Sequence, residues 1–169
     1  MKRKLLNKKG FSLAEMLIAI TILLLATGIV TSGIPTAINA YHKVTDFANA
    51  QIMLTTTATS LRDELDLARE IEIDDDKSIS YVDNNGYICK IYQDENGIEV
   101  TKNSNNKTFT QLLVSNSAAS KSFYVTYDDV TYEDDVITFK GIRIKKISTD
   151  EQVNDTYFEE YKVRLIKSI

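Results

Sequence analysis

Few side chains in this sequence have the chemistry that catalysis needs. The chain of 169 residues contains one histidine, His42, and one cysteine, Cys89, so a multi-histidine metal site and an intramolecular disulfide are both excluded. None of the spacings typical of a nucleophilic serine, a zinc-binding histidine pair, a redox cysteine pair or a phosphate-binding glycine loop occurs. Cys89 is expected to be a buried core thiol. We therefore expect no enzymatic activity, no cofactor and no bound metal.

Three consecutive carboxylates, Asp74, Asp75 and Asp76, form a run that could attract a cation. A calcium loop would need oxygen ligands spaced along the chain with a glycine at its sharp turn, and no such loop follows. The run is interpreted as a solvated turn that ends a helix, and cation binding remains the alternative.

Glu15 indicates a different kind of chemistry, because it immediately precedes a long apolar run. Residues 16–38 contain no Asp, Glu, Lys, Arg or His, and a helix of that length covers roughly 35 Å, enough to cross a bilayer core of about 30 Å. The carboxylate either lies at the headgroup level, where the helix dipole favours it, or needs a cation inside an apolar environment. A cut between Gly10 and Phe11 would create such a cation, the new Phe11 ammonium, four residues before Glu15.

Charge is strongly segregated along the chain. Residues 1–10 carry five basic side chains and no acid, whereas residues 41–135 carry eight basic and eighteen acidic ones, a local net of −10. The basic leader predicts an N-terminus in the cytoplasm and a C-terminal bulk outside the cytoplasmic membrane. A secretory signal peptide and an ordinary uncleaved anchor are the alternatives. The acidic surplus makes nucleic acid an unlikely partner without excluding it.

The stretch Lys8-Lys9-Gly10-Phe11-Ser12-Leu13-Ala14-Glu15, followed by the apolar run, resembles the N-terminal signature of type IV prepilins and of the pseudopilins of type II secretion and competence systems. The resemblance covers about residues 1–60. It implies cleavage after Gly10 by a prepilin peptidase, N-methylation of Phe11 by the same enzyme, and a role for Glu15 in filament assembly. It also implies three kinds of partner: other pilin or pseudopilin subunits, an inner-membrane platform with its ATPase, and the lipid bilayer.

Two functions are compatible with this resemblance. The first is a structural subunit, a minor pilin or pseudopilin, whose final location is an extracytoplasmic filament or the cell surface. The alternative is a membrane-anchored or filament-tip module that binds a ligand, a secreted substrate or DNA. The sequence does not distinguish motility, adhesion, secretion and DNA uptake.

The predicted fold is α+β and pilin-like, with a long N-terminal helix packed on a C-terminal antiparallel sheet. Its predicted parts are a leader (1–10), a transmembrane helix (11–40), an amphipathic helix (41–72) and a β domain (73–169). Gly28, Gly33 and Pro35 interrupt the apolar helix and either loosen it locally or are simply tolerated there. The amphipathic part carries one apolar stripe that consists of Leu54, Ala58, Leu61, Leu65 and Ala68.

Alternating patterns and Asn-Gly turns predict seven strands in the β domain, at 79–83, 87–93, 98–102, 109–114, 122–127, 136–147 and 157–167. The polar residues 102–107 are predicted to be a loop. Arg143 and Lys145 fall on one face of the sixth strand, and Lys162 and Arg164 lie on the seventh. These four side chains either protect strand edges from aggregation or form a contact patch for an acidic neighbour or a ligand.

Overall fold

The computed structural model describes residues 11–104, 107–114 and 122–166. The chain divides into two compact units, one up to Val44 and one from Thr45. The elements are one helix and nine strands in the described residues: α1 Leu13–Leu65, β1 Arg69–Ile73, β2 Ile79–Val82, β3 Ile88–Asp94, β4 Gly97–Ser104, β5 Lys107–Leu112, β6 Phe123–Thr126, β7 Asp129–Glu133, β8 Val136–Lys146 and β9 Gln152–Arg164. This is an α+β arrangement of one long helix and antiparallel sheets, as the sequence predicted.

The helix is unbroken from Leu13 to Leu65. Its part in the first unit is exposed along its whole length and is long and apolar enough to cross a membrane. Its part in the second unit is amphipathic, and the predicted stripe is confirmed: all five side chains of that stripe are buried, with exposed fractions of 9% or less. One face of this part therefore belongs to the core of the second unit.

The predicted end of the helix was wrong. The helix ends at Leu65, where the Asp66 N–H donates to the Arg62 carbonyl and the Ala68 N–H to the Leu65 carbonyl. Residues 69–73, predicted to finish the helix and begin the β domain, are strand β1. Their sequence alternates charged and apolar residues, so it fits a strand with one buried face better than a helix. Ala68 stays buried because the chain turns over the same core.

The strands form two sheets. The first sheet has the order β1-β2-β3-β4-β5, and every neighbouring pair is antiparallel. In the second sheet β8 is central, because β6 and β7 pair with different halves of one edge of β8 and β9 pairs with the other edge. Inward side chains of both sheets and of the helix form one apolar core.

Three strand predictions need correction. Most of the predicted loop at 102–107 belongs to strands, because Lys102 and Asn103 continue the β4–β5 ladder opposite Phe109 and Thr108, and residues 105 and 106 of that prediction lie outside the described residues. Strand β7 was missed, since acidic residues flank it and its five residues contain only one fully buried side chain. Strand β9 begins five residues earlier than predicted, at Gln152.

Candidate functional site

The N-terminal site begins at Phe11, since Gly10 and the basic leader lie outside the described residues. The Phe11 side chain is 85% exposed. Two residues later helix α1 begins, and Ser12 and Glu15 close its first turn reciprocally. The Ser12 N–H donates to the Glu15 carboxylate at 2.8 Å, and the Glu15 N–H donates to the Ser12 hydroxyl oxygen at 3.3 Å.

This reciprocal pair is a capping box, which satisfies two of the backbone N–H groups that every helix start leaves without a partner. Its sequence signature, a serine followed three residues later by a glutamate, is present in Ser12-Leu13-Ala14-Glu15. The role of Ser12 was missed, because the two interpretations given to Glu15 were a headgroup position favoured by the helix dipole and a cation as its partner. In the single chain, the Glu15 carboxylate therefore already has a hydrogen-bond partner, but it is a neutral one.

The apolar part of the helix satisfies its own polar side chains. Each of the hydroxyl groups of Thr27, Thr31, Ser32 and Thr36 donates to the carbonyl four residues earlier, at 2.7–3.0 Å. Such bonds let a hydroxyl group lie in an apolar environment without an unsatisfied donor. This segment can therefore face lipid or another apolar helix along its whole surface.

Gly28, Gly33 and Pro35 lie inside this unbroken helix. A Cβ atom added at either glycine would meet no atom within 4 Å, so packing within the chain does not explain the glycines. Pro35 has no N–H and leaves the carbonyl of Thr31 without its usual helical donor. The structure shows no loosening at these positions, and their role in flexibility stays a prediction.

Comparison with known families identifies this region. Residues 5–31 match the family model described as the prokaryotic N-terminal methylation motif. The chain carries a prepilin-type cleavage and methylation segment. Searches of curated proteins and of solved structures found no match. The pilin-like character of the chain thus depends on this segment, which contains the capping box and about two thirds of the apolar run, residues 16–31.

The four predicted contact residues do not form one patch. Arg143 lies opposite Tyr157, whereas Lys162 lies opposite Thr138, five residues further along β8, which corresponds to about 17 Å. Arg143 binds the Asp128 carboxylate with both of its terminal nitrogens. Lys145 pairs with Asp150 at 3.2 Å and Lys162 with Glu160 at 3.1 Å. Arg164 takes part in none of the ion pairs between described residues.

The acidic run of Asp74, Asp75 and Asp76 lies between β1 and β2 rather than at the end of the helix. Lys90 reaches Asp74 at 2.9 Å and Asp76 at 3.7 Å, so an ammonium group takes the place that a cation would occupy. Hydrogen bonds from Lys90 and then Ser78 hold the pKa of the Asp74 carboxyl below its usual range. No group of three or more His, Cys, Asp or Glu residues in the described ranges is arranged to hold a metal.

A second polar network joins the helix to the first sheet. The Tyr81 hydroxyl donates to the Glu64 carboxylate at 2.7 Å, and the Lys102 ammonium lies 2.6 Å from the same oxygen. Burial, and then the Glu64 contact, raise the pKa of the Tyr81 phenol far above its usual value. Cys89 is buried beside this network, as predicted, and burial raises the pKa of its thiol. Cys89 therefore packs as a core side chain beside the network, which links the end of the helix to β2 and β4.

Proposed function

We propose that this chain is a structural subunit, a minor pilin or pseudopilin, of a type IV pilus-like filament, and that it has no enzymatic activity. The observation that carries the proposal is the match of residues 5–31 to the N-terminal methylation motif, at the start of one long apolar helix. In this proposal a prepilin peptidase cuts after Gly10 and methylates the new amino group of Phe11. The chain is anchored in the cytoplasmic membrane with its N-terminus inside until an ATPase-driven machine assembles it.

The capping box supports a specific role for Glu15 in this process. The Glu15 carboxylate is held by the neutral Ser12 N–H, so it keeps its full negative charge at the start of an apolar helix. Moving a bare charge to the centre of a bilayer costs roughly 2.5 to 3.5 kcal/mol on insertion scales. The Phe11 ammonium of a neighbouring processed subunit would neutralise that charge as the helices pack together. Cleavage thereby creates the group that makes assembly favourable.

Two substitutions of Glu15 separate charge pairing from capping. Glu15→Gln keeps an acceptor for the Ser12 N–H but carries no charge, whereas Glu15→Ala removes both functions. Both variants are expected to be processed normally and to be lost from filaments purified by shearing. Filaments that incorporate the Gln variant as well as the native chain would show that capping alone is needed, and the charge-pairing role would then be rejected.

The processing step has its own test. The intact mass of membrane-extracted chain, coexpressed with a prepilin peptidase, is expected to lack residues 1–10 and to carry one additional methyl group. Replacing Gly10 with leucine should trap the full-length species, because a bulky side chain obstructs the cleavage position. If the native chain keeps its first ten residues in the presence of an active peptidase, the chain is an ordinary membrane-anchored protein.

A further inference from the structure

Three of the four arginines in the described residues have no carboxylate partner. Arg143 pairs with Asp128, but Arg62, Arg69 and Arg164 take part in none of the ion pairs found there. These three come from separate elements: the last turn of α1, the first residue of β1 and the last residue of β9. They are brought together because the Ile166 N–H donates to the Asp66 carbonyl at 2.6 Å and thereby fixes the end of β9 at the end of the helix. We call this surface, formed by Arg62, Arg69 and Arg164, the arginine end.

Two grooves with Ile166 in both walls lie at the arginine end. The first has a volume of about 330 Å³ and is lined by Arg69. The second has a volume of about 340 Å³ and is lined by Arg62 and Arg164. Apolar and aromatic side chains line much of their walls, among them Ile71, Tyr132, Tyr161 and Leu165, and Lys162 adds a further cation to the second groove.

This combination is suited to binding carboxylates. A guanidinium group offers a planar fork of donors that matches a carboxylate, and an adjoining apolar wall lowers the local dielectric and strengthens the contact. Asp66, Glu70 and Asp135 also line the grooves, yet the ion pairs found among the described residues include none that involves these three arginines. The three guanidinium groups are therefore available to an external ligand with two adjacent carboxylates.

The chain itself contains such a ligand in the turn between β3 and β4, which we call the acidic turn and define as Asp94 and Glu95. Both residues are exposed, and neither forms an ion pair with another described residue. Several other carboxylates of the turns are engaged: Asp74 and Asp76 with Lys90, Asp128 with Arg143, and Asp150 with Lys145. Glu133 and Asp134 are a second exposed pair outside these ion pairs, but they come just before Val136, which lies opposite Arg164, and so they lie beside the arginine end of their own copy. The Asp94 carboxylate accepts hydrogen bonds from the backbone and side chain of Asn96 in the same turn, at 2.7 and 3.2 Å. The acidic turn is thus an exposed pair of carboxylates whose charge no cation of the described residues neutralises.

The acidic turn and the arginine end lie at opposite ends of the second unit. Lys102, which pairs with Glu64 near the end of the helix, is five residues along β4 from Gly97, a distance of about 17 Å. At the other end of β4, Gly97 lies against Val125 of β6. Strand β6 pairs with the end of β8 whose Lys146 reaches Asp46, near the start of the helix in this unit. One copy therefore cannot place its own acidic turn in its own grooves.

We propose that the acidic turn of one copy binds the arginine end of the next copy. Because two different surfaces meet, each new contact leaves one free surface at each end, and the contact repeats without closing into a dimer. The proposal rests on the proposed function, since it supplies a contact between the globular parts of successive subunits. Charge reversal at one surface should disrupt it, and charge reversal at both should restore it.

Cysteine cross-linking of the full chain in native membranes tests this contact. Two differently tagged versions are coexpressed, one with Glu95→Cys and the other with Arg164→Cys, both with the buried Cys89 changed to serine. Oxidation should give a mixed disulfide dimer. Asn85→Cys, in the exposed turn between β2 and β3, replaces Glu95→Cys in the control, which should give little dimer. Equal yields from the test and control pairs would overturn the proposal.

Charge reversal provides the second readout. Arg62→Glu combined with Arg69→Glu in the Arg164→Cys chain should lower the dimer yield about fivefold, the factor expected for the loss of exposed ion pairs. Asp94→Lys in the Glu95→Cys chain should restore the yield. A yield that is unchanged by the reversal would also overturn the contact.

These results are separable from the proposed function. If filaments form but the mixed dimer does not, the contact is wrong and the filament role stands. If the mixed dimer forms in membranes but the chain is never processed or incorporated, the contact stands and the filament role fails.

Discussion

Position 141 requires a glycine, because the Asp128 carboxylate occupies the space that a side chain there would need. The backbone at Gly141 has φ +65°, and the buried alternation along β8 changes phase there: Ile137 and Phe139 are buried before it, and Ile142 and Ile144 after it. The backbone conformation of Gly141 thus turns the side chains in the second half of the central strand, so that Ile142 and Ile144 face the same core.

Gly141→Ala is expected to destabilise the chain by about 2 to 4 kcal/mol, from a left-handed backbone and a steric clash with Asp128. The matched control is Gly86→Ala, where φ is +82° but no atom lies within 4 Å of the added Cβ. That change should cost only about 1 to 2 kcal/mol. Urea unfolding of the full chain in detergent measures both values, and equal losses would show that Asp128 moves aside without cost.

The Asp74 carboxyl makes the free energy of unfolding depend on pH in the acid range. Its pKa is lowered by Lys90 and then Ser78, and the pKa of Asp76 is lowered by its contacts with Ser78. A carboxyl with a lowered pKa stabilises the fold above its unfolded value of about 3.9 and loses that contribution as pH falls below it. We expect the urea concentration that unfolds half of the chain to decrease as the pH is lowered from about 4 to about 2, the usual range for carboxylates. In Asp74→Asn this decrease should be less steep. An unchanged slope would assign the acid sensitivity to other groups.

Strand β9 runs alongside the helix in the same direction. Gln51 contacts Asp155, the Tyr161 hydroxyl donates to the Ala58 carbonyl, and Ile166 contacts Asp66. These bonds are spaced about two helical turns apart along residues 51–66 and five or six residues apart along 155–166, and the last of them joins the residues just beyond α1 and β9. They hold the helix in register with the second sheet.

Tyr161→Phe removes only the hydroxyl group that bonds the helix. We expect a loss of about 0.5 to 1.5 kcal/mol in the free energy of unfolding, the usual net value of one hydrogen bond. Tyr157→Phe is the matched control on the same strand, because that side chain is 45% exposed and should change stability by less than about 0.5 kcal/mol. Similar losses in the free energy of unfolding for both variants would mean that a water molecule donates to the Ala58 carbonyl when the Tyr161 hydroxyl is absent.

Pro35 should weaken the hydrogen-bonded ladder of the apolar helix. Pro35→Ala restores the missing donor to the Thr31 carbonyl, so amide exchange in residues 31–39 is expected to slow by about tenfold or more in detergent micelles. Gly28→Ala should change exchange there much less. If the alanine variant exchanges at the native rate, the proline does not loosen this segment.

The sequence predicted the elements that follow a single regular pattern. The apolar run is recognised by its length and its lack of charge, the stripe from Leu54 to Leu65 by its helical period, and two hairpins of the first sheet by their Asn-Gly turns. The helix end was misplaced because Ala68 continued the stripe after the chain had already turned. At the site, Gly10, Phe11 and Glu15 lie within the segment that matches the N-terminal methylation motif, and their individual roles stay predictions. The convergence of Arg62, Arg69 and Arg164 could not be predicted, because it depends on tertiary contacts between segments about 100 residues apart.

All residues of the apolar core belong to the second unit, beginning with Ala50. We therefore expect a fragment that starts at Thr45 to fold without the apolar half of the helix. Its amide spectrum should overlay that of the full chain for core residues, and its melting temperature should differ by less than about 5 °C, equivalent to roughly 1 kcal/mol. A fragment that is unfolded would show that the apolar half supports the core.

The sheet order has a consequence for how the chain is made. The first sheet is a simple meander in residues 69–112, so its strands can pair in the order in which the ribosome releases them. The second sheet cannot form until β8 arrives, because every other strand of that sheet pairs with it. Until synthesis passes residue 146, β6 and β7 remain without partners while the meander is already complete. In this late interval β6 and β7 are the strands of the nascent chain that proteases and chaperones can reach.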